Sequence, residues 1–329
     1  TVLNFIYSSI KNSNQPGIWK KYVHNDLLPR IHGFELMMAP YTIAHLKTSI
    51  AFEKTGFKYF NNRLGIYLTN SLEQSPIQGD MFNAFGLAES IAEESKQASI
   101  IKTKTPIMVV VGNPPYSVSS SNKGDWITEL LNVYKEGLQN RNIQPLSDDY
   151  IKFIRLAENY VERSGVGVVA MIANHSFIGG IIHRQMRKHL LETFDNIYIL
   201  DLHGNSKKGE ISPDGSKDEN IFDIMQGVSI NIFVRKNKEK KGFGNVYHTD
   251  LYGTREKKFE YLDKFKLESI DWNKLEYKEP YYFFVPKDFG KEEGYNKGFR
   301  ISDLFNSKSI GIVTGSDSTL ISSDKSLLV

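Results

Sequence analysis

Two apolar runs, "PIMVVV" (106–111) and "VGVVAMI" (166–172), constrain this chain most. Each is short, rich in β-branched residues and without apolar/polar alternation, so each is apolar toward both sides. Strands of that kind belong where helices cover both faces of a parallel sheet. The stretch between them agrees. "DDYIKFIRLAENYVERSG" (148–165) places Tyr150, Phe153, Ile154, Ala157 and Val161 at helical spacing and stops on a glycine.

The alternation extends in both directions. "RIHGFEL" (30–36) reads as a short strand ending near Glu35, and "APYTIAHLKTSIAFEK" (39–54) as a helix, with Pro40 where a first turn tolerates it. "LGIYL" (64–68) is a further strand. "IIHRQMRKHLLETF" (181–194) reads as a helix, "NIYILDL" (196–202) as a strand and "GVSINIFVR" (227–235) as the final one. Strands alternating with helices predict an α/β fold, a parallel sheet with helices on both faces. The segment between the last two strands, "HGNSKKGEISPDGSKDEN", is polar and turn-rich. That pair can therefore run antiparallel at an edge.

The character changes after residue 235. "KNKEKKG" suits a domain exit, and residues 236–300 are dense in Lys, Glu and aromatics, with "YYFFVP" at 281–286. The expected division is a main domain at 1–235, a connector at 236–300 and the start of another domain at 301–329. No internal repeat is visible.

Composition removes several chemistries. There is no cysteine, which excludes disulfides, thiolate metal sites and thiol catalysis. The net charge of +3 is too mild to argue for nucleic acid by itself. No run approaches the ~18 apolar residues of a membrane span, and the N-terminus does not read as a signal peptide. No membrane partner and a cytoplasmic setting are expected. The histidines show no metal-ligand spacing: His32 and His45 are thirteen apart, His183 and His189 six apart. No metal is assigned.

The strand at 106–111 runs into Gly112-Asn113-Pro114-Pro115-Tyr116. In an open α/β sheet, ligands sit beyond the carboxyl ends of the strands. Asn113 precedes proline and is pushed to extended backbone. Pro114 and Pro115 have fixed φ, which stiffens the loop. The Asn113 side-chain oxygen and the Pro114 carbonyl can together accept two N–H bonds from one amino group. Tyr116 can offer a ring face to a flat aromatic. The set suits an exocyclic amine on a planar base.

Asn-Pro-Pro-Tyr after an apolar strand resembles the catalytic loop of N6-adenine DNA methyltransferases. The segments "HGFELMMAPYTIAHLK" (32–47), "LGIYLTNSLE" (64–73), "VVVGNPPYS" (109–117), "YILDLHGNSKKGE" (198–210) and "IFDIMQGVSINIFV" (221–234) resemble the methyltransferase part of large single-chain, Type I-like restriction–modification enzymes. The resemblance covers residues 1–235 well and thins toward the end. It implies the Rossmann-like sheet of S-adenosylmethionine-dependent methyltransferases, with S-adenosylmethionine as cofactor and double-stranded DNA with a flipped adenine as partner. It also implies further domains of the same chain upstream and downstream.

By the same resemblance, Glu35 accepts hydrogen bonds from the ribose of S-adenosylmethionine. An acid at a strand end is also what a ribose site on a doubly wound sheet requires. Asn70, where the family often has Asp, approaches the cofactor's adenine amine. Asn113, Pro114 and Tyr116 hold the target adenine, and Phe222 supplies a second aromatic wall. Two acceptors on the N6 hydrogens free the nitrogen lone pair, and positioning can supply ~7–11 kcal/mol. Flipping the base costs a few kcal/mol, part of which stacking on Tyr116 returns, on the order of 1–3 kcal/mol.

One family feature is missing. The glycine-rich Asp-Pro-Ala-x-Gly-Thr-Gly loop after the first strand has no counterpart here. Thr1 is read as lying at the tail of that loop, so the sheet is expected to lack its first, central strand and the natural protein to continue upstream. Residues 1–329 alone are then expected to bind S-adenosylmethionine weakly or not at all. "GIVTGSDSTLI" (311–321) resembles the entry to the family's recognition domain.

Plainer readings stand beside these. Glu35 can be a solvated acid, Asn70 a turn residue or cap, and Phe222 ordinary core. Arg184, Arg187 and Lys188 can meet phosphate, although a solvated helix face is favoured. "KKGEISPDGSKDEN" (207–220) is either a DNA-side loop or a mobile one. The aromatics at 281–284 favour core packing. Two other functions remain open: methylation of a protein glutamine amide, and a non-catalytic DNA-binding or scaffold role.

Overall fold

A computed structural model describes residues 2–304, apart from 13–15, 62, 75–87, 117–119, 141, 292–293, 296 and 300. The segment at 311–321 lies outside the described residues. The chain divides into two units, Thr1–Pro286 and Lys287–Val329. In the second, Ile301–Leu304 form a short helix. Every named strand lies in the first.

The apolar runs become strands. β1 (Gly33–Glu35) and β2 (Ile66–Leu68) form a two-stranded parallel sheet. β3 (Val109–Gly112), β4 (Gly167–Asn174), β5 (Asn196–Asp201), β6 (Val228–Arg235), β7 (Asn245–Asp250) and β8 (Asn273–Leu275) form a second sheet in the order β3-β4-β6-β5-β7-β8. β3 is parallel to β4 and β5 to β7, whereas β6 is antiparallel to both β4 and β5. The longer helices are α1 (Val2–Asn12), α2 (Met38–Lys54), α3 (Ala88–Thr103), α4 (Asp149–Ser164), α5 (Arg184–Thr193) and α6 (Arg255–Lys264).

α4 shows why these segments are helical. Asp148 caps it by accepting from the Tyr150 amide, and Gly165 ends it at φ +78°, a conformation that suits glycine. Tyr150, Ile154, Ala157 and Val161 face the main core, which Val169, Met171, Ile197, Ile199 and Phe233 supply from the sheet. Glu158 is fully buried on the same helix, yet bonded by Tyr134, Arg155 and His189 at 2.7, 2.9 and 3.0 Å. Tyr282 and Phe284 join this core, as the aromatic stretch suggested.

Three strand expectations change. β3 is an edge strand paired to β4, and Val109 and Val111 are 64% and 67% exposed; only its other face packs inward, through Val110. An unbroken apolar run states that both sides are apolar, not that both are covered. β5 and β6 do run antiparallel, but β6 lies inside the sheet, because it fills the gap between two strands that point the same way. Finally, β7 and β8 extend the sheet within the stretch read as a connector. Tyr247 alternates there with the buried Val246 and His248, a short pattern that the charged residues around it obscure.

Candidate active site

β3 stops at Gly112 because Pro114 and Pro115 lack the N–H that a ladder needs. Asn113 is exposed, Pro114 buried and Tyr116 half-buried. The Tyr116 hydroxyl donates to Asn113 Oδ1 at 3.2 Å and lies 3.5 Å from the Ile172 carbonyl at the end of β4. Its ring meets Tyr150 edge-on at 6.2 Å. Burial pushes the Tyr116 phenol up to about 12, so it stays a neutral donor.

Phe222, in the loop before β6, packs on the cluster of Leu200, Leu202, Ile221 and Val228, and Tyr116 packs on the same cluster. Two aromatics distant in sequence thus reach one apolar patch. A cavity of about 600 Å³ opens beside Phe222, lined by Gly204, Ser206, Asp218, Asn220 and Arg255 among others; Asn113 and Tyr116 do not line it.

Glu35 is the last residue of β1 and is half-buried. Among the described residues, its carboxylate has no hydrogen-bond or ion-pair partner. Asn70, just past β2, is more committed. Its oxygen accepts from the Leu72 amide at 3.0 Å, and its NH₂ donates to Glu73 at 3.0 Å and Asn122 at 2.8 Å. Asn122 follows the Asn-Pro-Pro-Tyr loop and donates to Asp149 of α4 at 3.0 Å. Lys152 closes the network on Ser120 Oγ and the Asn122 carbonyl. The loops after β2 and β3 are therefore tied to each other and to α4. Lys102 of α3 holds the β2 side, donating to Thr69 Oγ1 and to the Asn70 and Glu73 carbonyls at 2.7, 2.6 and 3.0 Å. Burial pushes its ammonium down to about 8.

The polar loop after β5 is pinned rather than free. Asp218 accepts from the Gly204 and Gly253 amides and pairs with Lys258 at 2.7 Å, both side chains fully buried. Asn220 donates to the Gly204 and Gln226 carbonyls. A string of charged residues looks solvated in sequence; here one of its charges, Asp218, neutralises Lys258 brought from α6.

Arg187 is another correction. It is 0% exposed and donates to the carbonyls of Phe177, Gly180, Tyr281 and Tyr282, so it meets neither phosphate nor water. Burial, with Arg184 nearby, pushes it down to about 9. Arg184 bonds Asn140 and Lys188 pairs loosely with Glu192.

A group that pattern reading missed lies at the carboxyl ends of β4, β5 and β7. His175 Nδ1 is 2.9 Å from Asp201 Oδ1, and His203 lies between Glu210 at 3.1 Å and Asp250 at 2.8 Å. The only local hint is "DLH" at 201–203, where alternation turns Asp201 and His203 the same way.

This architecture is that of restriction–modification methyltransferases. The ATP-dependent Type ISP restriction-modification enzyme LlaBIII bound to DNA is similar, with a TM-score of 0.71 and 24% identity over 88% of this chain and 19% of that one. A nuclease-deletion mutant of the Type ISP enzyme LlaGI with a DNA substrate mimic has a TM-score of 0.70 and 20% identity over 88% of this chain and 24% of that one. A DrdV–DNA complex has a TM-score of 0.65 and 24% identity over 84% and 26%. The chain thus spans about a fifth to a quarter of the length of these structures. No match was found among the curated proteins. Residues 30–208 match the Eco57I restriction-modification methylase family, and the chain belongs to that family. Among the described residues, no helix is long and apolar enough to cross a membrane.

Proposed function

We propose that this chain transfers the methyl group of S-adenosylmethionine to N6 of an adenine flipped out of duplex DNA, as part of a restriction–modification protein. The observation that carries the reading is the stiff turn at Asn113–Tyr116, with Tyr116 and Phe222 on one apolar patch. Family membership supports it, as does the fact that the three similar structures are complexes with DNA or a DNA mimic.

Asn113 Oδ1 and the Pro114 carbonyl accept the two N6 hydrogens, which draws the nitrogen lone pair out of conjugation. Asn113 retains a lone pair for this while it accepts from Tyr116. Tyr116 and Phe222 stack on the extruded base. Glu35 suits the cofactor ribose, since its carboxylate lies at a strand end with no partner among the described residues. Asn70 suits a neighbouring adenine less directly, because its oxygen already caps Leu72. When bound, the cofactor supplies its methyl as an electrophile.

Methyl transfer from tritiated S-adenosylmethionine tests this on the 329-residue chain and on the complete product of its reading frame. Label recovered as N6-methyladenine in duplex DNA is expected. Label in protein glutamine, at another base position, or in neither preparation would overturn it.

A further inference from the structure

Asp201 and Asp250 are register partners across the β5–β7 ladder, and His248 precedes Asp250 by two residues. Side-chain alternation therefore sets all three on one side of the sheet. One ligand atom from each lies within 4.8 Å of the others. His248 is 1% exposed, and among the described residues neither of its ring nitrogens has a hydrogen-bond partner. Buried polar groups are normally paired, so this ring requires an explanation. Its Nδ1 is 3.7 Å from Asp250 Oδ2. That is long for a hydrogen bond, but it suits two atoms that each bind one metal at about 2.0–2.2 Å.

The surroundings fit the same account. Asp250 Oδ1 accepts from His203 Nε2 at 2.8 Å, which leaves Oδ2 turned toward His248. Asp201 Oδ1 takes the shorter bond from His175 and the His203 amide, which leaves Oδ2 the freer oxygen. His203 has a carboxylate at each nitrogen, Glu210 at Nδ1 and Asp250 at Nε2. Among the described residues, no lysine or arginine pairs with Asp201, Glu210 or Asp250.

We propose that Asp201, His248 and Asp250 bind one divalent transition-metal ion of the zinc or manganese class, with His175 and His203 holding the two carboxylates from outside. The imidazole ligand argues against calcium or magnesium, which prefer all-oxygen sets. Asp250 is 40% exposed at its side chain, which provides an entry path and room for a water ligand. The ion ties β5 to β7. Through His203 it also steadies the start of the loop that carries Phe222.

The experiment is calorimetric titration of the chelator-stripped 329-residue chain with Zn²⁺, Mn²⁺ and Mg²⁺, followed by thermal unfolding. One equivalent of Zn²⁺ or Mn²⁺ is expected to bind and raise the unfolding temperature, with little response to Mg²⁺. Binding is expected to vanish in His248→Gln and Asp250→Asn, and to weaken about 10–100-fold in His203→Gln. Asp250 is partly exposed, so Asp250→Asn keeps the test decisive should the buried His248 variant not fold. Uptake of neither ion by the folded chain, uptake that survives Asp250→Asn, or equal uptake of Mg²⁺ would each overturn the proposal.

Discussion

Asn113 and Tyr116 share one hydrogen bond, and their predicted roles separate by substitution. Asn113→Ala removes the acceptor proposed for the amine and is expected to lower methyl transfer about 100-fold or more, with DNA affinity retained in a filter-binding assay. Tyr116→Ala removes the ring and is expected to cost about 1–3 kcal/mol of base stacking, read as lost turnover and a weaker 2-aminopurine flipping signal. Tyr116→Phe keeps the ring and loses only the hydroxyl's contacts with Asn113 and the Ile172 carbonyl, about 1 kcal/mol. Equal damage from Phe and Ala would show that the hydroxyl, not the ring, matters.

At the scale of an element, the segment between β5 and β6 depends on a few buried contacts. Asp218→Ala leaves the Lys258 ammonium buried without a counter-charge, held only by the Leu202 and Glu219 carbonyls, and the expected loss is about 3–5 kcal/mol in urea unfolding. Adding Lys258→Met is expected to recover much of that loss; a double variant as unstable as the single would count against the ion pair as the cause. Gly204 tests the same loop from its backbone. It sits at φ +77°, and an added Cβ would lie 2.5 Å from Asn220 Cα. Gly204→Ala is therefore expected to displace the Asn220–Phe222 turn, lowering turnover more than stability. Unchanged turnover in a folded Gly204→Ala chain would remove Phe222 from the base site.

Across the whole molecule, acid sensitivity has a named contributor. Burial, helped by Arg187, pushes His183 down to about 3. A histidine lowered in the fold binds fewer protons folded than unfolded between pH 6.5 and 3. Its contribution is intact above pH 6.5 and declines as pH falls, by at most about 1.4 kcal/mol per unit. His183→Leu is expected to flatten this slope relative to wild type, measured as unfolding free energy at pH 5 and pH 7. The Glu158–His189 pair titrates in both proteins and cancels in the difference. Parallel pH profiles would assign the sensitivity elsewhere.

What the residues alone determined is local. The periodicity at 148–165 specified α4, the apolar runs specified β1 through β6, and the two prolines at 114–115 specified where β3 ends and a stiff turn begins. These are nearest-neighbour effects, set by dihedral limits and by side-chain spacing of 2 or 3.6 residues. What tertiary structure alone decided is pairing. β6 lies between β4 and β5, β3 has one side uncovered, Asp218 finds Lys258, Arg187 finds four carbonyls, and Asp201 meets Asp250 and His248 from the next strand. A charged or imidazole side chain reads the same in sequence whether water or a buried partner receives it. Strand order and register bring the partners together, and those come from contacts between residues far apart in the chain.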